Sequence, residues 1–122
     1  MKVCIIDDVA SNTSVLGKFL KIKGHESVIT NSGKEGFSLL ENEIFDVTIL
    51  DVDMPEMSGI DIVNALHESG RIKEQKIVIF SASNPDEKTI NELKEKGVID
   101  FLKKPMDLSE LIVKLEKIVK SD

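Results

Sequence analysis

The stretch DVTILDVDMPEMSG, residues 46–59, decides the fold of this 122-residue chain. Its first part, residues 46–50, is a short run rich in aliphatic and β-branched residues, which is typical of a strand covered on both faces. Asp51 follows at once, and a turn with proline and glycine leads into a helix predicted over residues 59–69. The stretch therefore predicts a buried strand with an acidic end, followed by a helix.

The same alternation of strand and helix extends over the rest of the chain. Short apolar runs alternate with stretches whose apolar residues recur at helical spacing. The predicted strands are residues 2–6, 25–30, 46–50, 76–81 and 98–103, and the predicted helices are residues 12–23, 32–42, 59–69, 86–96 and 107–120. Right-handed crossovers place the helices of such a chain on both faces of one parallel sheet. The pattern therefore predicts a doubly wound α/β fold.

Local residue patterns support several helix ends. Ser32 with Glu35, and Asp107 with Glu110, have the spacing of capping boxes at the starts of the second and fifth helices. Glycines stand where three helices must end in a left-handed residue, namely Gly24, Gly70 and Gly97.

Length and composition limit the architecture. A chain of 122 residues with 41% hydrophobic residues predicts one globular domain over residues 1–122, and the last predicted helix leaves no room for an output domain. The single Cys4 cannot form an internal disulfide. His25 and His67 are far apart and pair with no cysteine, so we do not expect a zinc site.

Charge and hydropathy exclude further classes. Sixteen Lys and Arg residues against 22 Asp and Glu residues give a net charge of −6, which opposes attraction to nucleic-acid phosphates. The apolar runs are far too short for a membrane span. We therefore expect no direct nucleic-acid binding, no membrane insertion and a cytoplasmic location.

Polar side chains follow four of the predicted strands. Asp7 and Asp8 come after the first strand, Asp51 after the third, Ser81 after the fourth and Lys104 after the fifth. In an open parallel sheet, ligands bind at the carboxyl edge of the strands. Two carboxylates about 5 Å apart repel by roughly 3 kcal/mol at an effective dielectric near 20, so three of them favour a bound cation. An oxygen-rich acidic cluster indicates Mg²⁺.

This set of residues suits phosphoryl transfer. A carboxylate oxygen of Asp51 could attack phosphorus, while Lys104 and the Ser81 hydroxyl bind the phosphoryl oxygens. Taken alone, the Asp7 and Asp8 pair is more typical of a turn or a helix N-cap than of a binding site. The combination favours the functional interpretation.

The chain resembles the response-regulator receiver domain of two-component signalling, a flavodoxin-like family that includes the chemotaxis regulator. The resemblance covers essentially the whole chain and rests on Asp7-Asp8, residues 46–59, Ser81-Ala82 and Lys104-Pro105. It implies a (βα)5 fold, a doubly wound parallel sheet of five strands in the order 2-1-3-4-5.

The resemblance also implies roles for the acidic residues. Asp51 matches the phosphoacceptor of the family, and Asp7 and Asp8 match residues that position Mg²⁺, for which Mn²⁺ can substitute. Asp51 and the main-chain carbonyl of Asp53 complete this metal site. Asp53 and Ser83, each two residues beyond a site residue, occupy positions that tune the lifetime of the phosphorylated state in the family.

Two further residues match the switch of the family. Ser81 and Lys104 match the residues that bind the phosphoryl group, with Lys103 as the alternative lysine. Ser81 and Phe101 match the pair whose movement accompanies phosphorylation, although Phe101 is equally well explained as a core residue and lacks the hydroxyl of the commoner tyrosine.

The implied partners are a histidine kinase or a histidine phosphotransfer protein as donor, and a downstream protein. The target is expected on the face made by the fourth helix, the fifth strand and the fifth helix. The chain is then a signalling switch or relay and not an enzyme, apart from self-catalysed phosphoryl acceptance and autodephosphorylation.

Two alternatives remain open at this point. Asp51 and Asp53 also fit a haloacid-dehalogenase-type phosphatase with a nucleophile and a general acid, although that pattern normally follows the first strand of a longer chain. A degenerate receiver that only binds partners is the other alternative.

Overall fold

The computed structural model describes residues 1–121 of the chain, which form one five-stranded parallel sheet. The strand order is β2-β1-β3-β4-β5, as predicted. The strands are β1 (Lys2–Ile6), β2 (Glu26–Thr30), β3 (Val47–Leu50), β4 (Ile77–Ser81) and β5 (Asp100–Lys103).

Five α-helices connect or follow the strands. They are α1 (Ala10–Ile22), α2 (Gly33–Asn42), α3 (Gly59–Ser69), α4 (Glu87–Lys96) and α5 (Leu108–Lys120). A 3-10 turn over Arg71–Glu74, which the sequence analysis did not predict, precedes β4. Between residues 1 and 121 no helix is both long and apolar enough to cross a membrane.

Alternate residues of each strand point into two apolar layers. On β1, Val3 and Ile5 pack with the buried residues of α1 and α5, whereas Cys4 and Ile6 pack with those of α2, α3 and α4. Burial raises the pKa of the Cys4 thiol to about 12, so the thiol stays uncharged and serves as a core residue. The two layers hold the sheet rigidly and leave its carboxyl edge open for a site.

The predicted capping boxes are only half present. The Ser32 hydroxyl accepts a hydrogen bond from the Glu35 amide at 3.3 Å, but the Glu35 carboxylate accepts from the Thr30 hydroxyl at 2.9 Å instead of returning to Ser32. Asp107 caps α5 by accepting from the amide of Glu110 at 3.4 Å, again without a returning bond among the described residues. The reciprocal half of the prediction was wrong, and at Glu35 the reason is that the Thr30 hydroxyl donates to the carboxylate in place of the Ser32 amide.

A full capping box lies at the start of α3, where the sequence analysis assigned only a turn. The Ser58 hydroxyl accepts from the Asp61 amide at 3.1 Å, and the Asp61 carboxylate accepts from the Ser58 amide at 3.0 Å. At the other helix ends the glycine prediction is confirmed, because Gly24, Gly70 and Gly97 have φ values of 84°, 78° and 126°.

Candidate functional site

Three carboxylates meet at the carboxyl edge of the sheet. Asp7, Asp8 and Asp51 each offer one oxygen, and these oxygens lie within 4.8 Å of one another. Asp7 and Asp51 are buried, whereas Asp8 is exposed. The predicted convergence of the acids is therefore present, because β1 and β3 are hydrogen-bonded neighbours in the sheet.

Asp51 is held by hydrogen bonds to the backbone of two other residues, Ile6 and Val52. Its amide donates to the Ile6 carbonyl at 2.9 Å, and its Oδ1 accepts from the Val52 amide at 2.8 Å. Burial raises the pKa of the Asp51 carboxyl, and the neighbouring Ser81 hydroxyl and Lys104 ammonium only partly oppose this rise. The charged form of Asp51 is therefore less stable in the folded protein than in water.

Lys104 reaches the acids from the end of β5. Its Nζ lies 2.6 Å from Oδ2 of Asp7 and 3.9 Å from Oδ2 of Asp51. The Lys104 amide donates to the Ser81 carbonyl at 2.9 Å, and the Lys104–Pro105 peptide is cis. The ammonium of Lys103, the alternative lysine, binds the loop after β4 instead.

Asp7 is positioned by a residue that the sequence analysis missed. Asn31, directly after β2, donates from Nδ2 to the Asp7 carbonyl at 2.7 Å and to the Thr13 hydroxyl at 3.0 Å. Oδ1 of Asp7 also accepts a hydrogen bond from the amide of Val9, the N-cap of α1, at 2.9 Å. The helix begins at Ala10, two residues before its predicted start. The sequence did carry a signal for Asn31, because it directly follows β2 and therefore lies at the same edge of the sheet as the acids.

The start of α3 touches the backbone at Asp51. The Gly59 amide donates to the Val52 carbonyl at 2.9 Å, and a Cβ at Gly59 would overlap the Asp51 carbonyl oxygen. A side chain at this position would therefore push the strand end away from the helix.

The two residues predicted to tune lifetime contact each other. The Ser83 hydroxyl donates to a carboxylate oxygen of Asp53, and the Ser83 amide donates to the hydroxyl oxygen of Ser81 at 3.2 Å. Ser81 is buried, whereas Asp53 is exposed beside the acidic cluster. The loops after β3 and β4 are therefore tied together next to the site.

Phe101 lies outside this set. Its half-buried ring packs against the apolar layer of α3 and α4, and its partner in the β4–β5 register is Ile79. Its role in a switch stays a prediction.

The donor atoms of the cluster fit a hard divalent cation. Carboxylate oxygens from Asp7, Asp8 and Asp51 match the oxygen ligands that Mg²⁺ prefers, with positions left for water or a phosphoryl oxygen.

Comparison with known proteins agrees with this geometry. The sequence profile described as the response regulator receiver domain matches residues 3–116. Response regulator SaeR of Staphylococcus aureus (strain USA300) is 32% identical in an alignment 119 residues long that covers 94% of this chain and 49% of SaeR. The chain thus spans about half the length of the curated relatives it matches.

Solved structures share the fold. The chemotaxis protein CheY4 of Vibrio cholerae aligns with a TM-score of 0.83 at 29% identity, covering 96% of this chain and 97% of that chain. The receiver domain of the Francisella response regulator 1452 aligns with a TM-score of 0.85 at 27% identity, covering 98% and 96%. These matches favour the receiver interpretation over the phosphatase alternative.

Proposed function

The chain belongs to the response regulator receiver domain family, and we propose that it is a switch or relay whose phosphoacceptor is Asp51. Receiver domains of response regulators are signalling switches and not classical enzymes. The observation that carries the proposal is the position of Asp51, which is buried within reach of two further acids and one lysine. A degenerate receiver would not need all of these groups.

In the proposed reaction, a carboxylate oxygen of Asp51 attacks the phosphorus of a phosphohistidine on a histidine kinase or a histidine phosphotransfer protein. The new bond joins this oxygen to phosphorus, and the bond between phosphorus and the histidine nitrogen breaks. The Val52 amide, 2.8 Å from Oδ1 of Asp51, fixes one carboxylate oxygen and leaves Oδ2 free to react.

Asp7, Asp8 and Asp51 would hold Mg²⁺ or Mn²⁺, with the main-chain carbonyl of Asp53 as a further ligand. When bound, the ion supplies positive charge that offsets the carboxylates and the phosphoryl oxygens. Asn31 and the Val9 amide keep Asp7 oriented toward this position.

Lys104 and Ser81 would bind the phosphoryl oxygens. The ammonium of Lys104 lies between Asp7 and Asp51, so a short movement brings it onto a group attached to Asp51. The Ser81 hydroxyl is buried beside the same carboxyl. In this proposal Ser81 and Phe101 change position together, and Asp53 and Ser83 set the rate of autodephosphorylation.

We place the output on the α4-β5-α5 face. β5 is an edge strand, so α4 and α5 flank an open side of the sheet. Leu93 is the one buried residue of α4, so little packing energy opposes its movement. A protein target on this face, the absence of direct nucleic-acid binding and the cytoplasmic location stay predictions.

Phosphoryl uptake tests the acceptor directly. Incubation with Mg²⁺ and a small phosphodonor should add the mass of one phosphoryl group to the wild-type protein and none to Asp51→Asn. Asp53→Asn is the matched control, because it removes a neighbouring exposed carboxylate, and it should still be labelled. Label retained by Asp51→Asn would reject Asp51 as the acceptor.

Thermal melts test the metal site. Mg²⁺ should raise the melting temperature of the wild type by mass action, and the gain should be smaller for Asp8→Asn. Glu92→Gln, at an exposed position of α4, is the control and should gain as much as the wild type. Equal gains in all three proteins would mean that the acids are a capped turn and not a metal site.

Hydrogen exchange tests the output face. Phosphorylation should change amide exchange in α4, which buries one residue, and leave α3, which buries four, unchanged. A change confined to other elements would place the output elsewhere.

A further inference from the structure

Lys103 makes an unusually complete set of hydrogen bonds for an exposed lysine. Its Nζ donates to the Ala82 carbonyl at 2.7 Å, the Ser83 carbonyl at 3.2 Å and Oδ1 of Asn84 at 2.6 Å. An ammonium has three donors, so every one of them is used on three successive residues of the loop after β4.

This loop has little else to hold it. None of the side chains of residues 82–86 is buried, so apolar packing does not fix its position. In such a segment, polar contacts decide the conformation. The charged donor of Lys103 meets two carbonyls and one amide oxygen, and such charge-assisted hydrogen bonds are stronger than neutral ones.

The loop in turn reaches the acceptor site through Ser83. The Ser83 amide donates to the Ser81 hydroxyl oxygen, and the Ser83 hydroxyl donates to the Asp53 carboxylate. Because Lys103 binds the carbonyl of the same residue, one serine joins the ends of β3, β4 and β5. We call this arrangement the Lys103–Ser83–Asp53 bridge.

We propose that Lys103 is a positioning residue that sets the lifetime of the phosphorylated state by holding the Lys103–Ser83–Asp53 bridge closed beside Asp51. The inference rests on the proposed function, because it concerns the aspartyl phosphate at Asp51. Lys103 acts through Ser83, since its own ammonium contacts the loop and not the acids.

The bridge controls access of water. In autodephosphorylation, a water oxygen bonds to phosphorus, the bond between phosphorus and the Asp51 oxygen breaks, and the water protons end on phosphate and solvent. In this proposal the attacking water enters between the loops after β3 and β4, which the Ser83–Asp53 contact joins. Loosening the bridge therefore speeds hydrolysis.

The test compares Lys103→Met with the wild type. Methionine keeps most of the side-chain length and removes the ammonium. We expect exchange of the Ser83 amide in the unphosphorylated protein to rise about three- to tenfold, the factor for the net loss of one ordinary hydrogen bond in a solvent-exposed loop. The phosphorylated half-life should fall by about the same factor.

Two variants separate positioning from general effects. Lys88→Met removes an exposed lysine from α4 and should change neither quantity. Lys103→Arg retains a charged multiple donor and should restore most of the half-life. Melting temperatures of all variants check that the fold is retained.

The outcomes are distinguishable. If the wild type takes up no phosphoryl group, the proposed function fails and the inference fails with it. If the wild type is labelled but Lys103→Met has an unchanged or longer half-life, or Lys103→Arg behaves like Lys103→Met, the inference alone is overturned. Unchanged exchange of the Ser83 amide would also overturn it.

Discussion

Buried polar side chains at the two ends of the sheet differ in how fully the protein's own groups satisfy them. At the amino end, Gln75 is 4% exposed and uses both parts of its amide. Its Nε2 donates to the carbonyls of Leu40 at 3.0 Å and Glu43 at 2.6 Å, and its Oε1 accepts from the Phe45 amide at 3.4 Å. Every polar atom of this side chain is satisfied by the protein itself.

At the carboxyl end, the negative charges are not fully balanced by neighbouring positive charge. Three carboxylates meet there, and Lys104 is the ammonium within 4 Å of two of them. Burial raises the pKa of Asp51, so its charged form costs free energy in the folded state. The Gln75 amide at the amino end therefore stabilises the fold, whereas the acids at the carboxyl end are suited to bind a ligand at the expense of stability.

The largest effect is expected at the amino end. Gln75→Leu should lower the free energy of unfolding by about 2 to 4 kcal/mol, because the Glu43 carbonyl and the Phe45 amide lose their buried partner. Urea melts measure the change. Asn91→Leu, the same replacement at an exposed position of α4, should stay within about 0.5 kcal/mol of the wild type. Equal effects in the two variants would contradict the conclusion that the buried Gln75 amide stabilises the fold.

The opposite sign is expected at the carboxyl end. Asp51→Asn should raise the free energy of unfolding of the metal-free protein near neutral pH by about 1 to 3 kcal/mol, because it removes a like-charge contact and a buried charge. Asp7→Asn is the matched variant and should instead lower stability, since Asp7 pairs with Lys104 at 2.6 Å. A destabilised Asp51→Asn would show that the acids do not strain the fold.

The pH dependence sharpens this prediction. A carboxyl whose folded pKa is raised stabilises the fold while protonated, and this contribution is lost as pH rises through the folded pKa. The advantage of Asp51→Asn over the wild type should therefore be small below about pH 4, the ordinary range of aspartate, and should grow toward neutral pH. Urea melts of both proteins across this range decide it.

Asp86 provides the control of opposite sign. Its hydrogen bonds to Thr89 at the start of α4 lower the pKa of the Asp86 carboxyl. Its contribution to stability is therefore present above the ordinary pKa and is lost as pH falls through the folded pKa. Asp86→Asn should accordingly be less stable than the wild type at neutral pH and equal to it in acid. A common pH trend in both variants would indicate a general charge effect.

The smallest effect is expected where the amino end meets α5. Nζ of Lys76 donates to the carbonyls of Ile118 at 3.0 Å, Val119 at 3.3 Å and Ser121 at 2.7 Å. Lys76→Met should lower the free energy of unfolding by about 1 kcal/mol, because solvent can replace part of these bonds. Lys120→Met, an exposed lysine of the same helix end, should have a smaller effect in the same urea melts. An equal loss of unfolding free energy in both variants would mean that the Lys76 effect comes from its charge in general and not from these contacts.

The alternation of strands and helices and the acids at the strand ends could be predicted from the sequence. Both follow from local periodicity, since a run such as residues 47–50 forms a buried strand wherever helices cover it, and parallel strands carry their carboxyl ends to one edge. The left-handed glycines were also predictable, because a helix that ends in a left-handed residue usually has glycine there.

The partners that these residues meet depend on the packing of the folded chain. Lys103 and Lys104 are adjacent in the chain, and the alternation of side chains along β5 and beyond sends one to the loop after β4 and the other to Asp7. Asn31 and Gln75 find their partners 18 to 35 residues away. Such contacts depend on how the elements pack in three dimensions. Local periodicity does not predict contacts between residues so far apart in the sequence.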